Sequence, residues 1–179
     1  MQNETNIVWL DLELTGLDVS KDTIVEIATI ITDKDLNILA EGPDLVIHHS
    51  ELIVAAMGDW QQKQFTGTGL INEIRESKTT LVDAEEQTLA FVKKWLPEKT
   101  APLAGNTIWM DRVFLMRHMP HLHDYFHYRN IDVSTVKELA RKWKPELLKE
   151  IKKEHRHRAL SDIRDSINEL MLYKKSLFS

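Results

Sequence analysis

The chain has 179 residues, 42% hydrophobic and 28% charged, with a formal net charge of −5. That length suits a single globular domain over residues 1–179, able to bury roughly 70% of its unfolded surface, and the composition excludes a disordered chain. Taken as an average, the negative charge argues against a nucleic-acid partner, because phosphate affinity is built from Lys and Arg. The charge is unevenly spread, however. Residues 1–111 hold 19 acids and 8 bases, whereas residues 112–158 hold 6 and 12. With no cysteine, a disulfide framework, a thiolate metal site and a cysteine nucleophile are all excluded. The apolar run 7–10 is cut by Asp11, the first basic residue is Lys21, and the longest apolar run, 52–57, is only six residues. Neither a signal peptide nor a membrane segment is expected, and a cytoplasmic protein is the default.

In chain order, residues 7–14 (IVWLDLEL) predict a buried strand. With a period of two, Val8, Leu10, Leu12 and Leu14 share one face, and Ile7, Trp9, Asp11 and Glu13 the other. A turn at Gly16 leads to a second strand at 24–31, and a third spans 36–48 with an interruption at Gly42-Pro43. Short polar turns between the three suggest an antiparallel meander. Helices follow at 51–57, around 69–77 and at 82–96, the last stopped by Pro97. Residues 102–106 form a short strand, and a helix over 111–119 is interrupted by Pro120. A fifth strand covers 128–134, and Ser134 caps a helix over 135–143. A loop rich in His, Arg and Lys leads into an amphipathic helix from about 159, with Ile163, Ile167, Leu170 and Met171 at helical spacing. The fold class is α/β, a mixed five-stranded sheet flanked by helices.

Asp11 and Glu13 are the first anomaly, two acids on one side of an otherwise apolar strand. Buried unpaired carboxylates cost several kcal/mol and repel one another. An exposed strand edge, or Arg and Lys partners, would remove the difficulty. The flanking Trp9 and leucines argue for burial and so for a bound cation, and hard carboxylate oxygens suit Mg²⁺ or Mn²⁺. Asp111 follows Gly105-Asn106-Thr107 at a strand-to-helix junction, where helix N-terminal charge compensation is its commonest use. Asp162 flanks the apolar stripe of the last helix, whereas Asp165 points away from it. His155 and His157 fall in a basic loop, and histidine is the residue type best suited to general-base work near neutral pH.

Four segments, DLELTGL at 11–17, GNTIWMDRVFL at 105–115, YRNIDVSTVKELARKWKPE at 128–146 and HRALSD at 157–162, together resemble the oligoribonuclease family. The likeness extends over the chain, including AEGPDLVIH at 40–48 and the DW pair at 59–60. That family belongs to the histidine-type DEDD 3′→5′ exonucleases, on an RNase H-like exonuclease fold. The resemblance implies that Asp11, Glu13, Asp111 and Asp162 hold two divalent cations, Mg²⁺ or Mn²⁺, and that His157 rather than His155 is the general base. It implies very short single-stranded RNA, dinucleotides included, as substrate, degraded from the 3′ end to mononucleotides. It sets Leu17 and Trp60 against the bases, Tyr128 close to the active centre, and Arg129, Ser134 and Thr135 near the 5′ phosphate. In the family those 5′-end groups come from a second subunit, so a homodimer is implied. Trp109, Met110, Phe65 and Ser161 depart from the family pattern. Phe65 stands where a histidine near the substrate phosphate is common, and Ser161 where an acid often accompanies Asp162. A binding module that had lost catalysis would have no use for four converging acids. A DNA-directed proofreading enzyme of the same fold is less consistent with Trp60 and YRNIDVST.

Overall fold

The computed structural model describes residues 2–151 and 157–177. Three strands, β1 (Ile7–Leu14), β2 (Ile24–Thr32) and β3 (Ile38–Val46), form the expected antiparallel meander. β4 (Pro102–Gly105) and β5 (His127–Asp132) then add in parallel on the other side of β1. The five-stranded sheet has the order β3-β2-β1-β4-β5, with β1 in the middle and β5 at an edge. It is the mixed sheet predicted from the sequence.

The helices are α1 (Glu51–Ala56), α2 (Asp59–Thr68), α3 (Leu70–Glu76), α4 (Leu81–Trp95), α5 (Ile108–His118), α6 (Pro120–Tyr125), α7 (Val133–Trp143) and α8 (Ala159–Leu177). The two faces of β1 separate as the alternation predicts. Val8, Leu10 and Leu12 enter one apolar layer with residues of α4, α5 and α6. Trp9 enters another beneath α7 and α8, with Ala104, Val133, Ile163 and Ile167. A third cluster packs Val25 against Val54, Phe65, Leu70 and Ile74 of α1, α2 and α3.

Several local expectations change. α2 was not foreseen, because DWQQKQFTGT buries only Phe65 and so lacks an apolar stripe. β3 runs through Gly42-Pro43 rather than breaking there. Its register against β2 shifts between Ala28 and Ile30, a bulge that absorbs the proline lacking an N–H. The strand expected at 128–134 ends at Asp132, and Asp132, not Ser134, caps α7. Its carboxylate accepts the Ser134 amide at 3.0 Å, placing Ser134 inside the first turn. α5 begins at Ile108, before Asp111, because Thr107 adopts a left-handed φ of 55° that turns the chain sharply out of β4.

That turn depends on Gly105. A Cβ there would stand 2.9 Å from the Leu10 carbonyl oxygen and 2.9 Å from Ile108 Cδ1, so the hydrogen lets β4 end hard against β1. Gly105→Ala must push β1 and β4 apart. It is expected to cost about 1–3 kcal/mol, seen as a lower urea midpoint at unchanged slope. An unaltered midpoint would show that the contact is not under constraint.

Candidate active site

The apolar residues that bury β1 also bring its two acids under helical cover. Asp11 and Glu13 leave the same face as Trp9, at the end of the strand nearest the starts of α5 and α8. Asp162 arrives from the first turn of α8. One carboxylate oxygen from each of Asp11, Glu13 and Asp162 lies within 4.8 Å of the others, the one metal-competent cluster found among the described residues. Asp111, from the first turn of α5, joins them from the opposite side, and its Oδ1 accepts the Leu12 amide at 3.0 Å. The four acids expected from the sequence thus converge.

The corner formed by Gly105, Asn106 and Thr107 holds three helices in register for this convergence. Asn106 Nδ2 donates to Ser166 Oγ at 2.8 Å and to Glu169 Oε2 at 3.2 Å, both on α8. Ser166 Oγ in turn donates to the carbonyl of Asp162 at 2.8 Å. The Thr107 amide points at Asp132 Oδ1 (3.0 Å) and Ser134 Oγ (3.1 Å), at the start of α7. One turn therefore fixes α5, which carries Asp111, relative to α8, which carries Asp162.

Electrostatics set the chemistry. Burial pushes the Asp11 carboxyl well above the usual carboxylate range, and Asp111, Glu13 and Asp162 push it the same way. Burial, with the neighbouring acids Glu26, Asp162 and Asp111, raises Glu13 to about 8, and burial raises Asp111 to about 8. These acids need a cation to be ionised together near neutral pH. An all-oxygen donor set with no thiolate fits a hard divalent ion such as Mg²⁺ or Mn²⁺.

The remaining expected residues fall into two groups. His157 lies two residues before the start of α8 and has a left-handed φ of 47°, and its ring meets Trp60 of α2 edge-on at 5.3 Å. Leu17, 69% exposed, tips the β1–β2 turn. Asp22 shapes that turn, accepting from Thr15 Oγ1 at 3.0 Å and from the Asp18 amide at 2.9 Å. The second group lies on β5 and the start of α7. Tyr128 is 74% exposed, with the Arg129 guanidinium 5.5 Å over its ring. β5 lies at the edge of the sheet, two strands removed from β1. Thr135 is exposed, while the Ser134 hydroxyl is engaged with Asp132 and Thr107. His155 lies outside the described residues.

The departures from the family pattern find their places too. Phe65 is fully buried beneath α2 and α3 and serves as core. Met110 packs on the layer beside α5, and Trp109 is exposed. Two residues escaped the sequence reading. Glu26, fully buried in β2, stands directly opposite Glu13, and Arg158 grips it. A charged residue inside IVEIATII carries the same signal as Asp11 and Glu13 and could have been found by it.

Comparison with known proteins agrees with this geometry. Residues 8–170 match the RNase_T exonuclease family. The chain is 55% identical over 175 residues to an oligoribonuclease of Pseudomonas syringae pv. tomato, covering 98% of this chain and 97% of that protein. It is 55% identical over 173 residues to one from Haemophilus influenzae, covering 97% and 95%. Among solved structures, the Escherichia coli exonuclease I bound to a dT13 oligonucleotide superposes with a TM-score of 0.71 at 17% identity. The exonuclease I of Methylocaldum szegediense gives 0.70 at 18%. These matches cover 95% and 97% of this chain but 41% of each exonuclease I chain, and they show a shared exonuclease fold. With the converging acids and near full-length identity to several relatives, the chain belongs to the oligoribonuclease family of exonucleases.

Proposed function

We propose that the protein is a 3′→5′ exoribonuclease that degrades RNAs a few residues long to mononucleotides, with His157 as its general base. The observation that carries this reading is the approach of Asp11, Glu13 and Asp162 within 4.8 Å, with Asp111 hydrogen-bonded beside them. These four residues would hold two divalent cations. Bound there, such ions supply neutralising charge and acidify water at the scissile phosphodiester. A ring nitrogen of His157 accepts one proton of the attacking water as its oxygen bonds to phosphorus. The bond from phosphorus to the 3′ oxygen of the shortened RNA breaks, and that oxygen takes up a proton from solvent. The left-handed backbone at His157 and the edge-on contact of its ring with Trp60 support this reading by joining the proposed base to a proposed base-stacking residue. Trp60 and Leu17, both exposed, offer apolar surface to the terminal bases, contacts that tolerate any base.

The rest of the grip is assigned to a second copy. Tyr128 and Arg129 stand exposed on an edge strand, where a partner's carboxylates can reach them. Arg129 and Thr135, with Ser134 in the first turn of α7, form a group suited to a 5′ phosphate. No described helix is long and apolar enough to cross a membrane. A cytoplasmic homodimer is the working form in this reading.

The direct test is a time course on 5′-labelled RNAs, from dinucleotides to long oligomers and against matching DNAs, with Mn²⁺, Mg²⁺ or EDTA. Shortening from the 3′ end that is fastest for the smallest RNAs and stops in EDTA is expected. Preference for long chains or for DNA would overturn the substrate assignment. Asp111→Asn keeps an oxygen for the Leu12 amide but loses the charge. It should therefore stay folded and lose hydrolysis. His157→Ala should cut the rate about 10²–10⁴-fold, and an unchanged rate would remove His157 from the chemistry.

Metal binding should also be linked to pH with a definite sign. Glu13 and Asp111 rise from model-peptide values of 4.5 and 3.8 to about 8 in the fold. The stability they contribute in the ion-free protein is fully present below about pH 4 and is lost as pH rises through 8. Cations need the ionised acids, so their stabilising effect grows over that same window. The melting-temperature difference between Mn²⁺ and EDTA should be near zero at pH 5. At pH 8, with the ion at about 100 times its Kd, it should reach several degrees. Equal differences at both pH values would contradict the site's electrostatics.

A further inference from the structure

Glu26 lies on the sheet face that carries Asp11 and Glu13, and the chemistry above does not use it. It is fully buried and directly opposite Glu13 in the antiparallel register. It has a dedicated cation. Arg158 Nε lies 2.9 Å from Glu26 Oε1, as does one of its terminal nitrogens. The same guanidinium is bidentate on Glu73 of α3, at 2.9 and 2.8 Å. The second oxygen of Glu26 accepts the amide of Ala159, the first residue of α8, at 3.2 Å.

These bonds converge on one short stretch of chain. The two residues following His157 are fastened to the sheet by Glu26, and the side chain of the first of them is fastened to α3 by Glu73. α3 follows α2 through Gly69, and α2 carries the Trp60 ring that meets His157. The Arg158 fork therefore spans β2, α3 and the start of α8, and His157 stands at the junction. A rigid planar fork can satisfy two carboxylates in fixed directions, whereas a lysine ammonium supplies a single point charge.

We infer that Arg158 is a positioning residue: by gripping Glu26 and Glu73 together it holds the His157 ring where it can take a proton from water at the carboxylate cluster. This rests on the assignment of His157 as the base. Displacement of a reacting group by about 1 Å can cost on the order of 10²-fold in rate, so the effect belongs in kcat rather than in substrate affinity.

Arg158→Lys is expected to lower kcat about 10–100-fold with KM within about threefold, and Glu73→Gln to lower it in the same direction by less. In a His157→Ala background, Arg158→Lys should cause no further loss, because the group it positions is gone. Calorimetric Mn²⁺ binding to the ion-free Arg158→Lys protein should stay within about twofold of the parent. Wild-type kcat in Arg158→Lys would mean that only charge matters. A full additional loss in the His157→Ala background, or a tenfold weaker Mn²⁺ affinity, would mean that Arg158 acts on the carboxylates. Any of these overturns the inference. A wild-type rate in His157→Ala alone is a different result, which removes the base assignment and this inference with it. Thermal melts accompany each variant. Should Arg158→Lys not fold, Glu73→Gln, whose side chain is 44% exposed, carries the rate, background and Mn²⁺ comparisons.

Discussion

Asp11, Glu13 and Asp111 sit where burial disfavours their charges, and the charge of Asp162 adds to the repulsion on Asp11 and Glu13. For Glu13, the displacement to about 8 corresponds to a penalty on the order of 5 kcal/mol against the ionised form. The positive charge of Arg158 opposes only part of that, so the surrounding fold must hold the acids in position. It does so by burying β1 on both faces, with Val8, Leu10 and Leu12 in one layer and Trp9 in the other. The Trp9 indole also donates to Thr32 Oγ1 at 3.0 Å, fixing β1 against β2 within the layer. Helices α5 and α8 can then deliver their acids only because the corner at Gly105 brings both against the end of that strand.

Glu26 shows what the same strand environment does with an acid whose neutralising charge is built into the chain. It is as buried as any residue of the core, yet its charge is matched by Arg158, with the Ala159 amide on its other oxygen. Opposite it, Glu13 shares the face and the burial, but among the described residues no salt bridge reaches it. The two residues separate structural from chemical use of a buried carboxylate. A salt-bridged acid holds elements in place, and a cluster of like charges is suited to bind a cation.

Much of this arrangement was legible in the sequence, for reasons that can be named. The strict alternation in IVWLDLEL fixed which face each acid takes, and burial on both faces followed from the absence of polar residues elsewhere in the strand. The motif spacing carried Asp111 and Asp162, which periodicity alone leaves as ordinary helix-start acids. What the pattern could not carry was tertiary. α2 has no apolar stripe, yet it forms because Phe65 alone anchors it on Val25 and Ile74. The cap of α7 moved to Asp132 because that carboxylate also receives the Thr107 amide from another element, a contact with no local trace. The burial of Glu26 is legible in IVEIATII, but its pairing with Arg158 spans 132 residues and leaves no local trace.

The distribution of charge now has a physical meaning that the net value of −5 concealed. Three of the clustered acids, Asp11, Glu13 and Asp111, belong to the acidic excess of residues 1–111, and a bound cation would offset their mutual repulsion. Several of the described bases of residues 112–158 are engaged within the protein itself. Arg158 is turned inward onto Glu26 and Glu73, and Arg112 is committed to the Asn130 side chain and the His127 and Arg129 carbonyls. Arg141 pairs with Glu138, and Lys137 approaches Glu169. Arginines and lysines paired with the protein's own carboxylates and carbonyls release no counterions from a polyanion, so these bases add nothing to the attraction of a long chain. The grip proposed above, with ions and apolar surface at the 3′ terminus and a few groups for the 5′ phosphate, asks for no continuous basic track. The proposed preference for the shortest RNAs accords with positive charge that is already engaged inside the protein.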